Sequence, residues 1–159
     1  MKAPTIALGA LLSLSACTQN QVPAGQLNEA ASLPPSFNFR KLGLRVLSTF
    51  VNRRQATMAT LYGNDLARQA ALGSPGATQP GEVLALLTWQ QQPDHNWFGA
   101  RIPGALQSLE LLRTRPASAG QPVVSYQCFV GKNLVLKADT LHQHARIAYL
   151  LAQKPAVLP

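Results

Sequence analysis

Only two cysteines, Cys17 and Cys128, occur in the 159 residues, so at most one disulfide could close within the chain. Acidic side chains are also scarce: six Asp and Glu face 14 Lys and Arg, a formal net charge of +8. The few carboxylates are scattered, which leaves no pair to propose for general acid–base work. No apolar run reaches the ~20 residues that cross a bilayer as a helix. The nucleophile-elbow, phosphate-loop and metalloprotease motifs are all missing. Nothing in the sequence assembles a catalytic set, and the chain reads more readily as a binding protein than as an enzyme. No internal repeat is visible.

What is present begins at the amino terminus. Met1-Lys2 is followed by the apolar stretch Ile6-Ala7-Leu8-Gly9-Ala10-Leu11-Leu12-Ser13-Leu14 and then Ser15-Ala16-Cys17. A basic start, a short apolar core and small residues before the cut are the three parts of a secretory signal. Leu14-Ser15-Ala16-Cys17 resembles the lipobox of bacterial lipoproteins. The resemblance implies that residues 1–16 are removed as a signal peptide. It also implies that the Cys17 thiol takes a diacylglyceryl group and that the new amino terminus is acylated. Two or more acyl chains hold a protein stably on a membrane, whereas one does so only marginally. Thr18 stands where an aspartate would signal inner-membrane retention. The expected location is therefore the cell envelope, lipid-anchored in the outer membrane and facing the periplasm.

Residues 17–36 are rich in Gln, Asn, Ala, Pro and Gly and read as a flexible tether. Residues 37–159 are enough for one domain with a real core. Loss of Lys2 with the signal lowers the formal charge from +8 to +7. Nucleic acid is not an expected partner of an exported chain. The basic residues are dispersed apart from Arg53-Arg54 and Arg113-Thr114-Arg115, which suits a solvated basic surface with loose attraction to anionic headgroups. Lipidation of Cys17 would leave Cys128 as the single thiol and exclude an internal disulfide. Cys128 sits in an apolar run, Val123 to Val130, where cysteine commonly serves as a small hydrophobe.

The patterning predicts an α+β domain, a largely antiparallel β-sheet of about five or six strands with two main helices. A turn or short helix over 37–44 should end near Gly43. Strands are expected at 45–51, 56–62, 83–89, 97–102, 106–112 and 123–130, with Pro103-Gly104 as a turn. The near-continuous apolarity of 83–89 points to a central strand covered on both faces. Asn64 should cap a helix over 66–72 that Gly73 stops, with Asp65 in its first turn. Asp139 should cap a last helix whose stripe runs through Leu141, Ala145, Ala148 and Ala152, widened by Ile147, Leu150 and Leu151.

Two stretches carry a family resemblance. They are Leu61-Tyr62-Gly63-Asn64-Asp65-Leu66-Ala67 leading to Pro80-Gly81-Glu82-Val83-Leu84, and Trp97-Phe98-Gly99-Ala100-Arg101-Ile102-Pro103-Gly104. Together they resemble the cytochrome P-460 family over about Phe39 to Ala152. Family members with heme attach it through Cys-x-x-Cys-His near the carboxyl end, and the enzymatic ones also cross-link a lysine to it. Here Cys128 stands alone, followed by Phe129-Val130-Gly131, and the lysine position falls near the apolar Leu86. The resemblance implies the scaffold, and these departures argue against its redox chemistry through a c-type heme.

Two groups of residues remain as candidate sites. Trp89, His95, Trp97, Phe98 and Arg101 form the densest aromatic and polar group. If Trp89 and Trp97 lie on adjacent strands they could line a pocket for a small planar or anionic ligand, with Arg101 above it. His142 and His144 could serve a noncovalent heme or a metal, although residues two apart on a helix point in different directions. No metal site is expected from this pair alone. The expected role is a heme-free module for a small ligand. A noncovalent-heme redox or gas-binding protein, and a structural lipoprotein contacting envelope proteins or a second copy, are the rivals.

Overall fold

The computed structural model describes residues 27–73, 78–118, 120–138 and 141–156. Cys17, with the expected signal, and Asp139, the expected cap, lie outside them. Six strands form one antiparallel sheet in chain order: β1 (Arg45–Asn52), β2 (Thr57–Gly63), β3 (Val83–Pro93), β4 (Arg101–Arg115), β5 (Val123–Val130) and β6 (Val135–Lys137). Two helices, α1 (Asp65–Leu72) and α2 (Gln143–Leu151), complete the elements. The α+β class and the antiparallel sheet are as expected. Among the described residues no helix is long and apolar enough to cross a membrane.

Strand β3 alternates between two cores, as its apolar run predicts. Leu84 and Leu86 pack on one face with Leu47, Leu61, Ala67, Leu112 and Leu150. Ala85, Leu87 and Trp89 pack on the other with Leu106, Leu109 and Leu111. The first face carries the two helices. The second is covered by the segment that precedes β1: Ala31, Leu33, Phe37 and Phe39 lie against it. Composition alone made residues 27–36 the end of a tether, but this part of the chain is docked. The Trp89 indole N–H donates to the Ala31 carbonyl at 3.0 Å, and the Asn28 amide donates to the Pro103 carbonyl at 2.6 Å.

The helix start reads directly from sequence. Asn64 Oδ1 accepts the Ala67 N–H at 3.0 Å and the Val83 N–H at 3.2 Å, while its Nδ2 donates to the Gly81 carbonyl at 2.8 Å. One side chain thus caps α1 and ties it to the loop before β3. Gly73 closes the helix, its N–H shared between the Gln69 and Ala70 carbonyls.

Pro103-Gly104 is not a turn. Both residues lie inside β4, which runs unbroken from Arg101 to Arg115. Thr88 pairs with Ser108, Trp89 with Leu106 and Gln91 with Pro103, so β4 carries additional residues at two register shifts. Proline is tolerated at such bulges and where no neighbouring strand needs its N–H. Strand β5 ends at Val130 opposite Ser108, so this stretch of β4 has no β5 partner. A Cβ on Gly104 would lie 3.1 Å from the Gln90 carbonyl oxygen, which explains the missing side chain. The reversal itself falls at 94–100, and Trp97, expected in a strand, sits in it.

Helix α2 presents a different face from the expected one. Leu150 is buried, with Ile147 and Leu151 packed beside it, while Leu141 is 82% exposed and Ala145 and Ala148 face outward. The spaced alanines suggested a stripe because alanine counts as apolar. The larger side chains gain more by burial, and they set the face.

A bulge also shapes β1. Val46 pairs with Tyr62 and Ser48 with Leu61, which leaves Leu47 without a partner on β2. Its side chain turns into the first core, and its carbonyl accepts the Ala156 N–H at 2.8 Å. Gly63 makes room: a Cβ there would lie 2.6 Å from Leu47 Cδ1. Gly63→Ala should cost about 1–3 kcal/mol by overpacking, and Leu112→Ala should cost about 2–5 kcal/mol by opening a cavity. Urea denaturation of each variant measures both.

Candidate functional site

A single glutamate interrupts the apolar run Leu109-Glu110-Leu111-Leu112. By strand alternation it shares the helix-bearing face with Leu112, Tyr126 and Cys128, and it is buried there. A carboxylate removed from water needs a cation and hydrogen bonds. Arg146 of α2 supplies both. Its Nε donates to Glu110 Oε2 at 2.8 Å and its Nη2 to Oε1 at 2.6 Å, a two-point grip. The Tyr126 hydroxyl donates to Oε2 at 2.7 Å. The Arg146 guanidinium also lies 4.7 Å from the ring centre of Tyr149, one turn further along the helix.

This network divides the helix-bearing face into two hollows. On one side is a groove of about 580 Å3 between the β1–β2 turn and α2. Thr57, Ala59, Leu86 and Thr88 form its floor, Arg146 and Tyr149 one wall, and Arg53 and Arg54 the other. On the other side Tyr126, Cys128, Lys137 and His142 surround a smaller hollow of about 210 Å3. A third cavity, about 420 Å3, lies on the opposite face between the 36–42 turn and the sheet. It is the space left where the wrapped segment leaves the sheet, and its floor is mainly Leu109, Leu111 and Phe129.

The network also sets the proton affinities. Burial and the hydrogen bond to the Glu110 carboxylate together push the Tyr126 phenol far above the usual tyrosine value. Burial, then the same carboxylate, pushes the Cys128 thiol up, so it is kept protonated and is a poor nucleophile at neutral pH. The bond to Glu110 raises Arg146 further.

The residues singled out in the sequence fall elsewhere. Trp89 is buried under the wrapped segment, and its indole N–H is used to hold that segment. Trp97 and Phe98 stand on the β3–β4 turn, 72% and 108% exposed, and His95 and Arg101 are exposed beside them. Trp89 and Trp97 are not brought to one pocket. His142 and His144 are exposed at the start of α2, and His142 borders the smaller hollow.

The residues present do not fit a covalently held c-type heme, which needs two thiols; Cys128 is the free cysteine of the described residues. The 210 Å3 hollow beside His142 is also below the roughly 300–1,000 Å3 of pockets that take drug-sized molecules. Among the described residues no three His, Cys, Asp or Glu side chains gather as a metal site. Compared with models of known protein families and with the sequences of characterised proteins, the chain matches none.

Glu110, Tyr126 and Arg146 were not evident as a site in the sequence. The signal was there: a charge inside a leucine run marks a carboxylate that must find a cation. Arg146→Met should destabilise the domain by about 3–5 kcal/mol, the cost of leaving a buried carboxylate without its cation. Glu110→Leu combined with Arg146→Met should recover much of that loss, and a double-mutant denaturation series reads it. Because Tyr126 stays neutral in the fold to higher pH than in the unfolded chain, its contribution is full below the ordinary value of 10.0 and lost as pH rises above it. Stability measured across alkaline pH should therefore fall, and Tyr126→Phe should flatten the fall.

Proposed function

We propose that the chain is a heme-free, lipid-anchored module of the cell envelope with a cytochrome P-460-like sheet, and that it binds a small anionic ligand in the groove beside Arg146. The groove carries this reading. Three arginines, Arg53, Arg54 and Arg146, line it together with Thr57 and Thr88, and no carboxylate is among its lining residues. The exposed Arg53 and Arg54, beside an Arg146 whose charge Glu110 already balances, stand over a partly apolar floor and favour an anion with a small carbon skeleton. Arg146 is already held by Glu110, so it needs no reordering to meet a ligand, and such preorganisation lowers the cost of binding. The lipobox-like Leu14-Ser15-Ala16-Cys17 supports the anchor. Cys128, with no second cysteine two residues from it, supports the absence of a covalent c-type heme.

A thermal-shift screen of small carboxylates, phosphate esters and heme tests the reading. A carboxylate or phosphate ester should raise the melting temperature, and heme should not. Arg53→Ser with Arg54→Ser should remove the ligand shift while changing ligand-free stability by no more than about 0.5 kcal/mol, as is usual for surface substitutions. A screen in which no anion stabilises the protein sinks the ligand site. A heme-induced Soret band that disappears in His142→Ala would favour the noncovalent-heme reading instead.

A further inference from the structure

The β3–β4 hairpin stands beyond the rest of the sheet. Strand β2 pairs with β3 only as far as Gln90, and β5 pairs with β4 only as far as Ser108. The hairpin continues through Pro93 and Arg101 to a turn at 94–100. That turn is well built. The Ala100 N–H donates to the Trp97 carbonyl at 3.1 Å, with Gly99 at φ +78, so Phe98 and Gly99 occupy the two corner positions. The Asp94 N–H donates to the Ala100 carbonyl at 3.1 Å, and Asp94 Oδ1 accepts the Asn96 N–H at 2.8 Å. An ordered turn therefore holds two large aromatic side chains out in water, where their burial free energy is unclaimed.

The surroundings identify the partner. The Asn28 amide holds the Pro103 carbonyl at 2.6 Å, so the chain enters the domain beside this same hairpin. Leu27, next to it, is also exposed. The eleven steps from Cys17 to Asn28 reach at most ~40 Å at roughly 3.5 Å per residue. An anchor at Cys17 would keep Asn28, and with it the Pro103 stretch of the hairpin, within that reach of the bilayer. The β1–β2 turn lies at the same end of the sheet: the Gln91 N–H donates to the Ala56 carbonyl at 2.8 Å. It adds the exposed Arg53 and Arg54 to Arg101, against the carboxylates of Asp94 and Glu29. Aromatic side chains flanked by arginine favour the headgroup region of an anionic membrane.

We infer that the Trp97–Phe98 turn inserts into the headgroup layer of an anionic bilayer, so that the domain rests on the membrane by its hairpin instead of hanging free from its lipid. The inference rests on the anchor at Cys17 only for proximity, and the test separates the two. The full chain is placed on phosphatidylethanolamine–phosphatidylglycerol vesicles with and without brominated acyl chains. The lipid at Cys17 is checked by mass spectrometry. Trp97 emission is taken as the difference between the wild-type chain and Trp97→Phe, which retains only the buried Trp89.

The expected result is a blue shift of the Trp97 emission, quenching by brominated chains and loss of quenching by aqueous acrylamide. Phe98→Ser, which keeps the reporter, should weaken the brominated-lipid quenching. A lipidated, vesicle-bound chain whose Trp97 remains open to acrylamide and untouched by brominated lipid overturns the inference and leaves the anchor standing. If Cys17 carries no lipid, the anchor reading fails. The same chain mixed with the same vesicles then still decides the insertion: quenching by brominated lipid supports it, and none overturns it.

Discussion

A carboxylate closed off from water must be answered, and much of the helix-bearing face is organised around answering Glu110. Arg146 binds both of its oxygens and Tyr126 binds one of them. An ion pair of this kind seldom adds net stability over a well-packed apolar substitute, because desolvation consumes much of the attraction. What it adds is position. Leu150, Ile147 and Leu151 can press α2 against the sheet with some tolerance for sliding, but a two-point arginine grip cannot slide. The same grip makes Arg146 a wall of the large groove and a border of the small hollow, so the pair determines the shape of both.

The other face solves a different problem with different means. Ala85, Leu87, Trp89, Leu109 and Leu111 would leave a broad apolar sheet face in water. The chain before β1 lies across it and is held by hydrogen bonds at Asn28 and Trp89, with Phe37, Phe39 and Tyr62 stacked edge to face or tilted between them. A segment with little secondary structure thereby completes the second core. Trp89 is the joint: its ring fills the core and its one polar atom secures the cover.

The sequence showed most clearly those features governed by local chemistry. Asn64 capping, the Gly73 stop and the two-sided burial of β3 all follow from short-range rules, and each is present. Features decided by distant partners were harder to read. Pro103-Gly104 looks like a turn until it is known that β5 stops short and leaves the proline's side of β4 unpaired. Leu141 and the alanines of α2 look like a buried stripe until the bulkier Ile147 and Leu150 are seen to take the core. Trp89 and Trp97 are close in sequence, but one is drawn into the core and the other is left on the turn. Glu110 was visible only as an anomaly in a leucine run, because its partners lie 16 and 36 residues away.

The strand order has a consequence for how the molecule is assembled. Each strand pairs only with its neighbours in the chain, so the sheet can zip up hairpin by hairpin as the polypeptide is delivered, without waiting for a remote segment. The pieces that need distant partners are the segment before β1, which waits for β3 and β4, and the final stretch. Leu150 must travel back to the β1 side, and the Ala156 N–H must reach the carbonyl that the bulge at Leu47 leaves outside the ladder. The domain therefore closes like a bracelet whose clasp is made last. Until the carboxyl-terminal residues arrive, the sheet can form but its helix-bearing core stays open along one edge.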